Sequence, residues 1–119
     1  MIPLTKETIE AAYEYFRTTP PFNKWNLPEP EDIIFKVGKD RHTIGWHITY
    51  TKKDKRKDVL AVSIKCVGHT DTLLITVAHE MIHIYLTMTG QDKGGEHNAA
   101  FKLYASHVCK VHGFDPKAF

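Results

Sequence analysis

Residues 77–85 read VAHEMIHIY and contain the pattern HExxH, which places histidines at 79 and 83 and a glutamate at 80. Side chains four residues apart on an α-helix lie on the same face, one turn apart. Two imidazoles in that arrangement can ligate one zinc ion, while Glu80 lies about a quarter of a turn away and can reach a water molecule on the metal. The pattern therefore predicts two metal ligands, His79 and His83, and a general base, Glu80, on one helix.

The residues around this motif indicate that its helix is buried. Thr70 or Asp71 can cap its start, the helix is expected to run to about Met88, and Gly90 is suited to end it. Apolar residues occupy nearly every side of this helix, so two histidines and a glutamate in its interior cost free energy unless they have partners. A metal ion supplies such a partner; the alternative is a set of core histidines satisfied by hydrogen bonds.

A catalytic zinc site needs a third protein ligand and leaves one position open for water. The extended pattern HExxHxxGxxH would require glycine at 86 and histidine at 89, where the chain has Leu86 and Thr89. A glutamate ligand is also unfavourable, because Glu96 is the only glutamate after position 80 and begins the next expected helix. The remaining candidates are His97, His107 and His112.

His97 is the favoured third ligand because of its place in the chain. It follows the flexible Gly94–Gly95 turn and lies in the first turn of a last helix, expected over residues 96–112 and closed by Gly113. Apolar side chains at helical spacing form a stripe that would pack on the HExxH helix and carry position 97 inward. The stripe consists of Phe101, Tyr104, Val108 and Val111. The other histidines are expected on the surface or near the site without contacting the metal: His42, His47, His69, His107 and His112.

The first half of the chain begins with a helical pattern over residues 5–17, followed by a proline-rich connection over residues 18–32 that we expect to be extended. The buried face of the helix is predicted to consist of Ile9, Ala12, Tyr13 and Phe16. The connection is expected to be anchored by Phe22, Trp25 and Leu27.

Strand patterns follow over residues 33–37, 43–51 and 58–66, and their short connections predict a three-stranded antiparallel sheet. In the second strand one face carries Ile44, Trp46, Ile48 and Tyr50, and the other carries Thr43, His47 and Thr49. The predicted fold class is therefore α+β: an N-terminal helix, this small sheet, the central HExxH helix and a packed C-terminal helix.

Length and composition limit the class of protein. At 119 residues the chain predicts one domain, over residues 1–119, with ordinary apolar and charged fractions. The net charge of +2 does not by itself predict nucleic-acid binding. No stretch has the pattern of a signal peptide or a membrane span, and Cys66 and Cys109 form no CxxC pair. We therefore expect reduced thiols and a cytoplasmic location.

A short basic segment joins the second and third strand patterns. It consists of Lys52, Lys53, Lys55, Arg56 and Lys57. Such a cluster can contact phosphates of DNA by releasing counterions. The favoured interpretation is a solvated hairpin tip that keeps the sheet soluble. Weak DNA contact through these residues is the alternative.

The chain resembles the SprT-like family of zinc metallopeptidases. The strongest likeness is HEMIH at positions 79–83, followed after a short glycine-containing loop by His97 and, four residues later, Phe101. Weaker likeness lies upstream, in Asn26-Leu27-Pro28 and in Arg41 followed by Gly45. Together these features extend from about residue 20 onward. The chain departs from the family in having Asn98 where glycine is common, and in lacking the cysteine pairs of a C-terminal zinc module that many members carry.

The resemblance implies a zincin-type fold and zinc-dependent hydrolysis of peptide bonds. Relatives include enzymes that degrade proteins crosslinked to DNA, so DNA-associated proteins are an implied substrate class, and the strand at 58–66 is implied to offer its edge to an extended substrate. Glu80 would take a proton from the metal-activated water and pass it to the leaving amine. Candidates for a second oxyanion donor are Tyr50, Tyr85 and Tyr104.

Two other classes of function remain open. One is a non-catalytic zinc-binding module that recruits DNA or protein, and the other is an interaction domain without a metal. Retention of Glu80 beside the two histidines argues against both, because a structural metal site needs no base next to its ligands.

Overall fold

The N-terminal segment forms helix α1 (Lys6–Arg17) in a computed structural model, which describes residues 2–119 except for the side chain of residue 52. Thr5 caps this helix: its Oγ1 accepts a hydrogen bond from Thr8 N at 3.2 Å, and Thr8 Oγ1 accepts one from Thr5 N at 2.9 Å. The predicted apolar face is confirmed, since it is buried in the core. It consists of Ile9, Ala12, Tyr13 and Phe16.

The connection after α1 is more compact than expected. Instead of an extended chain it contains two 3-10 turns, Phe22–Lys24 and Pro30–Asp32. Phe22 and Leu27 are buried, as predicted, and the Tyr13 hydroxyl donates a 2.6 Å hydrogen bond to the carbonyl of Pro28. These contacts hold the connection against α1.

The sheet contains β1 (Ile33–Gly38), β2 (Gly45–Lys52) and β3 (Lys55–Ser63), in the order β1-β3-β2. β2 is antiparallel to β3, but β1 is parallel to it, so the prediction of a wholly antiparallel sheet was wrong. Lys53 and Asp54 form the hairpin turn at φ values of 52° and 62°, which suits a two-residue turn with both residues left-handed. Because the turn needs only these two residues, β2 continues to residue 52 and β3 begins at residue 55, three residues earlier than predicted.

The hairpin places β3 in the middle, where its apolar residues Leu60, Ala61 and Val62 are fully buried. A central strand has its backbone hydrogen bonds paired on both sides. The expectation that residues 58–66 offer an edge to a substrate is therefore wrong for β3, and the strand at that side of the sheet is β2.

The two faces of the sheet differ in an unexpected way. The apolar side chains Ile48 and Tyr50 of β2 are exposed by 51% and 39%, whereas the side chain of His47 is only 5% exposed. The polar face of β2 is thus the one turned toward the helices. On the outer face the indole of Trp46 lies over Gly38, where a Cβ atom would come within 2.1 Å of the ring.

The central helix α2 (Thr70–Met88) carries the HExxH motif. Its N-cap is His69, one residue before the predicted caps Thr70 and Asp71. At its other end Gly90 adopts a φ of 72°, and Gln91 N donates a 2.8 Å hydrogen bond to the carbonyl of Leu86. This confirms Gly90 as the residue that ends the helix, because a left-handed glycine at this position completes a Schellman motif.

The last helix α3 (Ala99–His112) begins three residues later than predicted. Asn98 is its N-cap, since the side-chain oxygen accepts a 2.9 Å hydrogen bond from Phe101 N. Gly113 ends it at a φ of 75°, as expected. The predicted stripe is only partly right, because Val111 is 45% exposed while Ala105 and Cys109 are buried.

The α+β fold class is confirmed: three helices and a three-stranded mixed sheet share one apolar core. Within residues 2–119, no helix combines the length and the apolar character that crossing a bilayer requires. Cys66 and Cys109 form no disulfide.

His112 is packed among aromatic rings rather than at the surface. Its ring centroid lies 4.9 Å from that of Phe16 and 5.9 Å from that of Phe114. Among the described residues, its Nε2 is buried and has no hydrogen-bond partner. Burial lowers the pKa of His112. A hydrogen bond with the backbone of Pro20 acts in the opposite direction but is the weaker effect.

We predict that His112→Phe makes the protein less sensitive to acid. Because the folded pKa of His112 is lowered, the unfolded chain binds its proton more readily, and stability is lost as the pH falls below the unfolded pKa of about 6.5. The variant should lose less unfolding free energy between about pH 7.5 and about pH 5.5, by at most about 1.4 kcal/mol, the limit for one proton over one pH unit. Urea unfolding in chelator measures this. His107→Phe, on an exposed position of α3, is the control; an equal effect of both variants would refute the explanation.

Candidate metal centre

Three imidazoles meet at one point between α2 and the start of α3. Nε2 of His79 lies 3.2 Å from Nε2 of His83 and 3.2 Å from Nε2 of His97. One ligand atom from each of the three histidines lies within 4.8 Å of the others. Two nitrogens bound to the same tetrahedral zinc ion are about 3.3 Å apart, given zinc–nitrogen bonds of about 2.0–2.1 Å. The structure thus brings together the three residues that the sequence singled out.

The chemistry of these donors fits a cation better than a hydrogen-bond network. A ring nitrogen carries either one N–H or one lone pair in the plane of the ring. Nε2 of His79 therefore cannot form good hydrogen bonds to His83 and His97 at once. A cation accepts the lone pairs of all three nitrogens, so this cluster can hold a metal ion.

Burial keeps two of the rings in the form that binds metals. Burial, with a smaller contribution from the neighbouring imidazoles, lowers the pKa of His79 to about 4 and that of His83 to about 3. Both rings are therefore neutral at neutral pH. Neutral imidazole is the form that ligates a metal, and no proton has to be displaced from these two residues.

One aromatic ring contacts all three histidines. Phe101 is 3% exposed, and its centroid lies 4.4 Å from that of His97, 4.7 Å from His83 and 4.9 Å from His79. It is nearly parallel to the rings of His97 and His83, at interplanar angles of 12° and 20°. The aromatic residue four positions after His97 is thus a packing surface for the three imidazoles.

His97 reaches this position from a loop. It was predicted in the first turn of the last helix, but α3 begins at Ala99 and His97 precedes the N-cap. Gly94 and Gly95, with φ values of 87° and 115°, turn the chain just before it. Unlike the two rings on α2, His97 is exposed, so its position depends on how this loop is closed.

Glu80 lies beside the cluster and is only 6% exposed. Burial raises the pKa of its carboxyl to about 8, and the negative charge of Glu96 contributes in the same direction. Such a shift is common for groups that exchange protons in active sites. Its role as a general base stays a prediction.

A cavity of about 580 Å³ opens over these residues. Its walls come from the start of β2, from α2 and from the loop before α3. The lining residues are Thr43, Gly45, Trp46, His47, His79, Glu80, His83, Thr87, Asp92, Gly95, Glu96 and His97.

Gly45 lets β2 approach α2 closely. A Cβ atom at this position would lie 2.5 Å from Cγ2 of Thr76 and 3.0 Å from the carbonyl oxygen of Ala61, with a carboxylate oxygen of Glu80 at 3.6 Å. Only glycine fits here without displacing a neighbour. Gly45 belongs to the family-like upstream pattern, but the sequence alone indicates no role for it in the site.

A buried polar network that the sequence patterns do not predict connects the sheet to α2 near His83. Oδ1 of Asp58 accepts hydrogen bonds from His47 Nε2 at 2.7 Å and Arg56 Nη2 at 3.0 Å. The same guanidinium nitrogen donates to Thr87 Oγ1 on α2 at 2.7 Å. His47, expected at the surface or near the site, thus lies in the cavity wall.

The network determines the charge of Asp58. Burial by itself raises the pKa of this carboxyl, but hydrogen bonds from His47, Arg56 and Thr49 outweigh burial and hold the pKa at about 2. Asp58 is therefore an anion at neutral pH. Its partners His47 and Thr49 lie on β2. Its partner Arg56 lies on β3 and also binds Thr87 on α2, the helix that carries the motif.

Several other predicted residues lie elsewhere. The three candidate oxyanion donors, Tyr50, Tyr85 and Tyr104, are not among the residues that line the metal cavity. Tyr85 and Tyr104 pack with Trp25, at centroid distances of 4.5 Å and 5.2 Å from its ring, and Tyr50 is on the outer face of the sheet.

The basic segment is only partly free to meet a partner. Arg56 binds Asp58, and Nζ of Lys57 donates to the carbonyl of Glu31 at 3.1 Å. Lys53 and Lys55 are exposed, whereas the side chain of Lys52 lies outside the described residues.

The predicted family resemblance is confirmed over most of the chain. The sequence model of the SprT-like family matches residues 22–118. No curated protein matches the chain.

The close approach at Gly45 predicts that Gly45→Ala destabilises the protein by roughly 1–3 kcal/mol, because the methyl group collides with Thr76. Adding Thr76→Ser should restore at least half of the loss, since it removes Cγ2 and keeps the hydroxyl that donates to Thr72 O at 2.6 Å. Urea unfolding measures both. Gly68→Ala is the control, because nothing lies within 4 Å of a Cβ there. Failure of Thr76→Ser to rescue would contradict this explanation.

The polar network predicts that Asp58→Asn lowers the unfolding free energy by about 2–3 kcal/mol. This loss is smaller than that expected for a fully buried ion pair, because the Arg56 side chain is 30% exposed. Denaturant titration at neutral pH measures the change. Asp54→Asn, in the exposed hairpin turn, should change stability by less than about 0.5 kcal/mol. An effect of Asp58→Asn as small as that of the control would rule out a stabilising network.

Proposed function

Because the chain belongs to the SprT-like family, we propose that it is a zinc-dependent peptidase. His79, His83 and His97 hold the metal, and Glu80 is the general base. The observation that carries this proposal is the convergence of three imidazole nitrogens beside a buried glutamate in one cavity.

A bound zinc ion supplies a Lewis acid that polarises a peptide carbonyl and lowers the pKa of a water molecule toward about 7. Glu80 accepts the proton of that water at a carboxylate oxygen and later donates it to the leaving amine. Burial raises the pKa of Glu80 to about 8, and this pKa falls when a positive charge lies at the three imidazoles. Metal binding thus favours the carboxylate form that a base requires.

The substrate, in this proposal, binds along β2. β2 is an edge strand antiparallel to β3, and its first residues, Gly45 to His47, line the metal cavity. An extended peptide that adds to this edge pairs its backbone with β2. Such a peptide would run beside the cavity that contains the three imidazoles.

The identity of the substrate protein is a further part of the proposal. The family resemblance suggests DNA-associated proteins, and the exposed Lys53 and Lys55 are the residues through which weak DNA contact is predicted. A cytoplasmic location likewise stays a prediction.

Glu80→Gln and His83→Ala separate the roles of base and ligand. Glu80→Gln should retain one zinc ion per chain and lose cleavage of an unfolded protein by about 10²-fold or more, because the amide cannot take a proton. His83→Ala should lose both the zinc and the cleavage. Zinc content is measured by elemental analysis after dialysis, and cleavage by mass spectrometry of the products.

Glu10→Gln, an exposed position on α1, is the matched control and should cleave like the wild type. If Glu80→Gln cleaves as fast as this control, Glu80 is not the base. Zinc binding by the wild type without cleavage of any substrate would instead support the non-catalytic module. Absence of stoichiometric zinc would refute the proposal.

A further inference from the structure

Asn98 uses its whole side-chain amide to close the loop that carries His97. Its Oδ1 accepts the 2.9 Å hydrogen bond from Phe101 N, and its Nδ2 donates to the carbonyl oxygens of Gln91 and Lys93, both at 2.8 Å. The two ends of the loop over residues 91–97 are therefore linked through one side chain. We call this set of three hydrogen bonds the Asn98 clasp.

The near end of the loop is itself anchored to α2. Gln91 N donates to the carbonyl of Leu86 at 2.8 Å, and the Tyr104 hydroxyl of α3 donates to Oε1 of Gln91 at 3.2 Å. Gln91 thus has a fixed place relative to the helix that carries His79 and His83. Through the clasp, the residue next to His97 takes its position from that same helix.

The clasp matters because His97, unlike His79 and His83, does not lie on a helix. The residue is exposed, and the ring contacts described for it are those with His79, His83 and Phe101. The loop before it contains Gly94 and Gly95, which allow many backbone conformations when the loop is open. Each restraint on such a loop lowers the entropy that is lost when its histidine binds a metal.

We infer that Asn98 is a positioning residue for the metal: its clasp holds His97 in the ligating position before the ion binds. This inference rests on the proposed zinc site but not on peptide hydrolysis. Partners of metal ligands that act in this way typically change metal affinity about 10- to 100-fold when they are lost. The N-cap role alone would affect the stability of α3 and not the affinity for zinc.

Asn98→Ser separates the two roles. Serine is as good an N-cap as asparagine, so the hydrogen bond from Phe101 N is kept, but the two donations to the loop carbonyls are lost. Asn98→Gly, the residue common in the family, removes the clasp in a second way and keeps an acceptable N-cap. Asn23→Ser, on an exposed position, is the matched control.

Zinc affinity is measured by competition with a chromogenic chelator, and urea unfolding of the metal-free proteins is measured in parallel. Asn98→Ser and Asn98→Gly should each weaken zinc binding about 10- to 100-fold, whereas Asn23→Ser should stay within about twofold of the wild type. The urea midpoint of metal-free Asn98→Ser should stay near that of the wild type, because its N-cap is kept.

Two results would overturn the inference. If the wild type binds zinc and both Asn98 variants bind it within about twofold as tightly, the clasp does not position His97, while the proposed function stands. If the wild type binds no zinc, the proposed function and this inference both fail. Should Asn98→Ser not fold, Asn98→Gly decides between these outcomes.

Discussion

Two imidazoles and a carboxylate at the centre of a buried helix are the constraint on which the structure depends. Buried polar groups cost free energy unless each has a partner, and His79 and His83 are close enough to share one. A metal ion in contact with both, and with His97, meets this requirement. The polar centre of the helix faces one cavity, while its apolar residues pack in the core.

The elements around α2 make room for that centre and hold it in place. Gly45 brings β2 close to the helix, and the ring of Phe101 packs against all three histidines. The network of Asp58 and Arg56 connects the sheet to the helix one turn after His83. Each of these contacts restrains the histidines or their helix from a different direction. We therefore expect the three imidazoles to keep their arrangement when no metal is bound.

Local patterns predicted most of the helical structure and the three histidines that the structure brings together. HExxH on a helix places both histidines on one face, and among the downstream histidines His97 is the one beside a turn and an apolar stripe. Alternation of apolar and polar residues did not predict the parallel pairing of β1 with β3. The order of strands depends on how all the elements pack around the core, and this is not visible within one strand. Alternation also located β2 without indicating that its apolar face would turn outward. The network at Asp58 joins residues on two strands and a helix, so no local signal could reveal it.

The central claim is that three side chains bind one ion and leave a position open. Crystals grown with zinc, with anomalous scattering recorded on both sides of the zinc absorption edge, test it directly. The account predicts one peak about 2.0–2.1 Å from Nε2 of His79, His83 and His97, with the Glu80 carboxylate outside bonding distance. No peak at this point, or an ion bound by Glu80 in place of one of the histidines, would contradict it.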